Sequence, residues 1–245
     1  MYEERLVAFL DILGFKEAVN ESSASQERFD EIYRFLQLFS SSNHAKEIFS
    51  GFRNGDGEPC KDADISRLSN IYSYTFTQFS DSFVFSTKKD DVAGSQFLPY
   101  MVAQFTTRAF DLGFLVRGGV SIGKMVHERA GPAFGPAFIE AYHIENQQAS
   151  FGRTVVSKEA FAFLKDAGRY CTDFIEDGYD GEKEITIASF INKVNRNNPD
   201  RVSELENAIS RLRELKEKIP QRDRDSCDPK YDYVQDKLRD AIAAK

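Results

Sequence analysis

The sequence predicts an α+β domain in which helices pack on one face of a mainly antiparallel sheet. Three observations predict it. Apolar runs of strand length alternate with stretches of helical period, in the order strand, helix, hairpin, helix, strand, hairpin, helix, strand. At 245 residues and 41% hydrophobic content the chain can bury one large core. No repeat, low-complexity tract or membrane-length apolar run competes with that reading.

The elements follow in order. Arg5 to Leu10 reads as a buried strand, and Gly14-Phe15 opens a helical stretch in which Phe29, Ile32, Tyr33, Leu36 and Phe39 recur at helical spacing. Residues 51–68, rich in glycine, aspartate and charge, read as a surface loop. Ile71 to Phe79 and Asp81 to Ser86 are aromatic and β-branched and are joined around Ser80-Asp81, which suits two antiparallel strands or one bent hairpin. Val92 to Leu112 has helical period, Phe114 to Ile122 is a strand broken at Gly118-Gly119, and Pro136 to Gln148 is helical again. Thr154 to Ser157, Tyr170 to Ile175 and Glu184 to Phe190 read as further strands. After 195–199 the composition changes: residues 1–195 form the first unit, and 196–245 a C-terminal helical extension. There Val202, Leu205, Ile209, Leu212 and Ile219 make one amphipathic helix closed by Pro220, and Asp228-Pro229 starts a last helix through Leu238 and Ile242. Such a seam serves either an oligomer contact or packing on its own domain.

Composition narrows the functional classes. Three widely spaced cysteines fit neither a disulfide framework nor a zinc cluster, and the acidic start Met1-Tyr2-Glu3-Glu4 is unlike a signal peptide; both point to a soluble, cytoplasmic protein. The net charge of −7 is uneven: residues 196–245 hold 12 Lys/Arg and 11 Asp/Glu, leaving 20 and 28 to residues 1–195. A first unit at net −8 is a poor electrostatic footprint for nucleic acid. Neither a nucleic-acid partner nor a membrane is expected.

Two segments carry chemistry. Phe9-Leu10-Asp11-Ile12-Leu13-Gly14-Phe15 ends an apolar run on a carboxylate just before a glycine turn, and Phe79-Ser80-Asp81-Ser82-Phe83-Val84-Phe85 repeats the setting. Carboxylates embedded in apolar strands are costly unless a positive charge sits between them, and a divalent metal meets that need. Gly14 and Phe15 lie where a strand passes into a helix, so their backbone N–H groups can point at phosphate oxygens.

The first of these segments resembles the first metal motif of class III nucleotidyl cyclases, and Ser80-Asp81-Ser82 resembles their second. Arg117-Gly118-Gly119-Val120-Ser121-Ile122-Gly123-Lys124 is similar to the later strand-turn segment of that fold, and Gly135-Pro136-Ala137-Phe138-Ile139-Glu140-Ala141-Tyr142-His143-Ile144-Glu145 to its catalytic helix. The four matches fall in the family's order over roughly residues 5 to 190. Their wording is closest to the bacterial pyrimidine cyclases of Pycsar antiphage defence. The resemblance implies a palm-like (ferredoxin-like) fold, a homodimer with composite sites, and conversion of UTP to 3′,5′-cyclic UMP and pyrophosphate. The product would activate a companion effector. Cyclic CMP is the alternative product, and a catalytically silent nucleotide-binding module the alternative function.

The same resemblance assigns roles. Two Mn²⁺ or Mg²⁺ ions per site would be held by Asp11, the Ile12 carbonyl and Asp81, and would activate the ribose 3′-hydroxyl and neutralise the triphosphate. Lys124 stands where the family carries a phosphate-binding base. Ile139 and His143 replace its asparagine and transition-state arginine; His143, Glu140, Tyr142 and Arg117 are the candidates to take over. Thr77 occupies the base-reading position, with Tyr2 and Arg5 as an aromatic face and a donor for a pyrimidine carbonyl.

Overall fold

A computed structural model describes residues 1–40, 74–168, 172–194, 200–219 and 221–244. Strand β1 (Glu3–Leu13) is followed by α1 (Phe15–Ser22) and α2 (Gln26–Ser40), then β2 (Thr75–Phe79), β3 (Ser82–Lys88) and α3 (Val92–Asp111). Next come β4 (Leu115–His127), β5 (Ala133–Phe134), α4 (Pro136–Gln148), β6 (Thr154–Val156) and α5 (Lys158–Ala167). The chain closes with β7 (Glu176–Asp177), β8 (Lys183–Ile185), α6 (Ile187–Val194), α7 (Arg201–Glu217) and α8 (Arg224–Ala243). The sheet order is β2-β3-β1-β4-β6-β8-β7, with β5 paired to β4 off that path, and every pairing except β4–β6 is antiparallel. The α+β class read from the sequence is the class observed.

The period of two along β1 divides its side chains between two cores. Leu6, Ala8, Leu10 and Ile12 join the main core with Phe35, Phe39, Phe83, Phe85 and the buried length of α3. Val7 and Phe9 face the other way, into a smaller core with Val84, Met125, Ala137 and Ala141. Helices therefore cover both faces, not one, because α4 lies on the second.

The reason is Gly119, the second glycine of the pair in β4. The strand runs unbroken through Gly118-Gly119, and these residues make room for neighbours rather than ending it. A Cβ on Gly119 would stand 2.2 Å from the Ala141 carbonyl oxygen and 2.9 Å from the Glu145 nitrogen, so only glycine lets α4 approach this closely.

Other expectations shift locally. The first helical stretch is two helices, and on α2 Ile32 and Phe39 are buried while Phe29 and Tyr33 stack on each other in solvent. The 51–68 loop and Ile71 to Ser73 lie outside the described residues. Of the strand expected over Tyr170 to Ile175, Tyr170 and Cys171 lie outside the described residues and the rest is not strand, and the strand expected over Glu184 to Phe190 stops at Ile185. There the Thr186 hydroxyl accepts from the Ser189 nitrogen and the Ser189 hydroxyl from the Thr186 nitrogen, a reciprocal cap that starts α6. The last helix begins before Asp228-Pro229 and carries Pro229 in its first turns.

The C-terminal seam packs on its own chain. Leu205, Ala208, Ile209 and Leu212 are buried with Phe110, Leu115, Ile187, Ile191, Val234 and Leu238. Val202, by contrast, is exposed. A buried ionic cluster fastens α8: Arg153 reaches Asp180, Glu184 and Tyr233, and Lys237 lies 2.9 Å from Glu184.

Candidate functional site

β1 and the β2–β3 turn bring the two aspartates together. Asp11 pairs across the ladder with Ser82, and the Ile12 nitrogen donates to the Asp81 carbonyl oxygen at 3.1 Å. Asp11 lies two residues before the end of β1 with its side chain 16% exposed, and Asp81 sits half-buried in the turn. Ser80 holds a positive φ of 57°, which helps to close that turn in two residues. Gly14, at φ 83°, is the left-handed N-cap of α1, so the first N–H groups of that helix open beside the end of β1. The Phe15 ring is a core anchor against Phe114 rather than a contact surface.

A cation stands at this site: Arg117, which pairs with Asp11 in the β1–β4 register. Its Nε lies 3.1 Å from Asp11 Oδ2 and 2.6 Å from Glu145 Oε1. Glu145, 2% exposed, is the site residue that sequence reasoning missed. Burial pushes its carboxyl up to about 7 against the pull of Arg117, and the neighbouring Asp11 adds to the rise. The signal was present but weak: Glu145 closes the helix segment that begins at Gly135, four residues after Ala141, on the buried face of α4.

The donor set suits a hard divalent cation such as Mg²⁺ or Mn²⁺. Asp11, Asp81 and the Ile12 carbonyl offer oxygen alone. Among the described residues no group of three or more His, Cys, Asp or Glu side chains could hold a metal, so phosphate oxygens and water would have to complete the shell. The residues fit a divalent metal whose remaining positions are filled by water, and by phosphate oxygens once an anionic substrate is bound.

Several predicted site residues lie elsewhere in the chain. Arg5 is six positions from Asp11 along β1, about 20 Å at strand rise, and its donors are already taken. It is buried and donates to Ser86 Oγ at 2.8 Å, Glu3 Oε2 at 2.6 Å and Thr75 Oγ1 at 2.8 Å. The Thr77 hydroxyl is 2.9 Å from His127 Nε2, and His127 Nδ1 is 2.7 Å from Ser86 Oγ, so Thr77 and Arg5 belong to one polar network. His127, unmarked in the sequence, is its hub: burial, then the charge of Arg5, lowers it to about 4. A cavity of about 410 Å³ opens beside this network, lined by Glu3, Arg5, Thr75, Ser86, Lys88 and His127.

Lys124 is exposed and pairs with Glu4, on the opposite face of the sheet from Asp11 and at its far end. His143 is exposed on α4 beside Tyr142, whose ring also meets Phe9 edge-on. Tyr2 precedes β1 and rests against Phe134. Glu140 is exposed on α4. Within one chain, then, Asp11, Ile12, Asp81, Gly14 and Arg117 come together, and His143, Lys124, Tyr2, Arg5 and Thr77 do not join them. No helix among the described residues is long and apolar enough to cross a membrane.

No family model matches the chain, and no curated protein matches it. Among solved structures it is similar to the adenylyl cyclase CyaB from P. aeruginosa, at 17% identity over 76% of this chain and 93% of that one, with a TM-score of 0.44. It is also similar to the monomeric guanylyl cyclase domain of the RhoGC fusion protein from the aquatic fungus Blastocladiella emersonii, at 14% identity over 76% and 95%, with a TM-score of 0.41. A bacterial light-regulated adenylyl cyclase matches at 13% identity over 79% and 96%, with a TM-score of 0.42.

Proposed function

We propose that the chain is a nucleotidyl cyclase that converts a pyrimidine nucleoside triphosphate, UTP first and CTP as the alternative, into its 3′,5′-cyclic monophosphate and pyrophosphate. The observation that carries this reading is the meeting of Asp11 and Asp81 beside the α1 N-terminus, through the Ile12-to-Asp81 backbone bond. In such a reaction the ribose 3′-oxygen loses its proton and attacks the α-phosphorus in line, and the bond to pyrophosphate breaks. Divalent ions bound to Asp11, Asp81 and the Ile12 carbonyl would supply Lewis acidity to that oxygen and offset triphosphate charge. The backbone N–H groups at the start of α1 orient the phosphates, and Arg117 adds a fixed positive charge next to Asp11.

The reading includes a homodimer. His143, Lys124 and Tyr2, which stand away from Asp11 in their own chain, then serve the partner's site, and the Thr77 network forms its base-facing wall. Arg5 is held by three acceptors of its own chain, so it shapes that wall rather than offering its main donors to a base. The product is proposed to act as a second messenger that switches on an antiphage effector.

Incubating the protein with UTP, CTP, ATP and GTP in turn, with Mn²⁺, and reading products by mass spectrometry tests the proposal. Cyclic UMP or cyclic CMP in excess of the purine products is expected. The Arg117 ion pair on Asp11 favours one other reading, a silent module that binds nucleotide without turning it over. Nucleotide binding with no cyclic product from any triphosphate would establish that second reading in place of the first.

A further inference from the structure

One arginine between two carboxylates needs an explanation. Arg117 stands 29% exposed, 3.1 Å from Asp11 and 2.6 Å from Glu145, and Glu145 is the shorter and more buried partner. Both contacts are made by the same nitrogen, Nε. If Asp11 is to ligate a cation, Arg117 must give up its contact with that carboxylate, because a guanidinium and a divalent ion repel each other at this range. Left with no second acceptor, a half-buried guanidinium would resist that step, since an unpaired buried charge is costly.

We propose that Glu145 is a positioning residue for metal binding: it holds Arg117 when Asp11 turns from the arginine to a divalent cation, so that Arg117 acts as the resident counter-charge of Asp11 in the metal-free chain. The inference rests on the proposed metal site. Gly119 is what makes it geometrically available, because the close approach of α4 sets the Glu145 backbone on β4 next to Arg117. Nothing else on the buried face of α4 could do this: Ala137, Ala141 and Ile144, its other buried residues, are apolar.

A double-mutant cycle on Mn²⁺ affinity tests the proposal, with bound ion followed by electron paramagnetic resonance on the nucleotide-free full chain at pH 8. Glu145→Gln should weaken Mn²⁺ binding about tenfold, a typical coupling between directly contacting groups. In an Arg117→Met background the same change should have little effect, because there is no guanidinium left to hold. Glu145→Asp keeps the charge but withdraws it by one methylene, and should also weaken binding; it serves as the second variant if Glu145→Gln does not fold. An equal loss in both backgrounds would show that Glu145 acts on the ion directly and overturn the inference, as would wild-type affinity in both Glu145 variants. If Asp11→Asn abolishes Mn²⁺ binding while Glu145 is neutral, only this inference fails. No Mn²⁺ binding to the wild-type chain would overturn both it and the proposed metal site.

Discussion

Replacing Gly119 with alanine tests the link between the β4 glycine pair and the site. The added Cβ would lie 2.2 Å from the Ala141 carbonyl oxygen, 2.8 Å from Ile144 Cβ and 2.9 Å from the Glu145 nitrogen. Carbon and oxygen atoms in good contact stand about 3.5 Å apart, so α4 has to retreat by roughly 1 Å along its central turns. Two of the three atoms are helix backbone and cannot turn aside as a side chain could. Overpacking of this kind costs about 1–3 kcal/mol, and the backbone contacts place the change near the upper end. For a chain of this size that is a fall in Tm of about 4–10 °C. Retreat of α4 also draws Glu145 away from Arg117, so Mn²⁺ affinity should fall together with stability. Differential scanning calorimetry and urea unfolding read the first effect, and Mn²⁺ titration the second. A variant within about 0.5 kcal/mol of wild type, with unchanged Mn²⁺ affinity, would refute the argument that this glycine exists to seat the helix.

Other expectations concern charge. The Glu145 carboxyl is raised from 4.5 to about 7 in the fold, so the native state holds its proton more tightly and stability falls as pH rises between those values. His127 is lowered from 6.5 to about 4, so the unfolded state binds its proton first and stability falls as pH drops from 6.5 to 4. The two oppose each other over the shared range, at up to about 1.4 kcal/mol per pH unit each; urea unfolding across pH should show Glu145→Gln losing stability toward acid and His127→Gln gaining it. Asp11→Asn and Asp81→Asn should each abolish Mn²⁺ binding and cyclic product in mass spectrometry. Asp11→Asn should also lower the Tm slightly, because it removes the carboxylate charge that pairs with Arg117. Arg153→Met leaves Glu184 fully buried with only Lys237 and Tyr233 to answer it, and should cost about 3 kcal/mol in urea unfolding.

Legibility of the site divides by range. Asp11, Gly14 and Asp81 were readable because each sits in a local pattern: an apolar run, a glycine turn, a tight hairpin. Glu145 and His127 were not, since an acid in a helix and a histidine at a strand end look alike whether solvated or buried. Arg117 was marked as a candidate, but its acceptors could not be named before β1 and α4 were placed against β4. Arg5 shows the same limit in reverse: at the start of the first strand it reads as a donor for a base, yet Ser86 and Thr75 from neighbouring strands and Glu3 from its own take up its donors.

By itself, the sequence determined the α+β class, the bounds of α4 from Gly135-Pro136, the β2–β3 hairpin and the two aspartates, all of which follow from backbone propensity and from period over a few residues. Tertiary structure alone decided that Gly119 seats a helix while the strand runs on through Gly118, that Glu184 to Phe190 divides between strand and helix, and that the seam at Leu205 to Leu212 closes on its own chain. It alone placed Arg117 between Asp11 and Glu145 and moved Lys124 to the far end of the opposite face. The physical reason is that strand register and helix docking fix which charges meet, and both are set by the whole core rather than by any local run of residues.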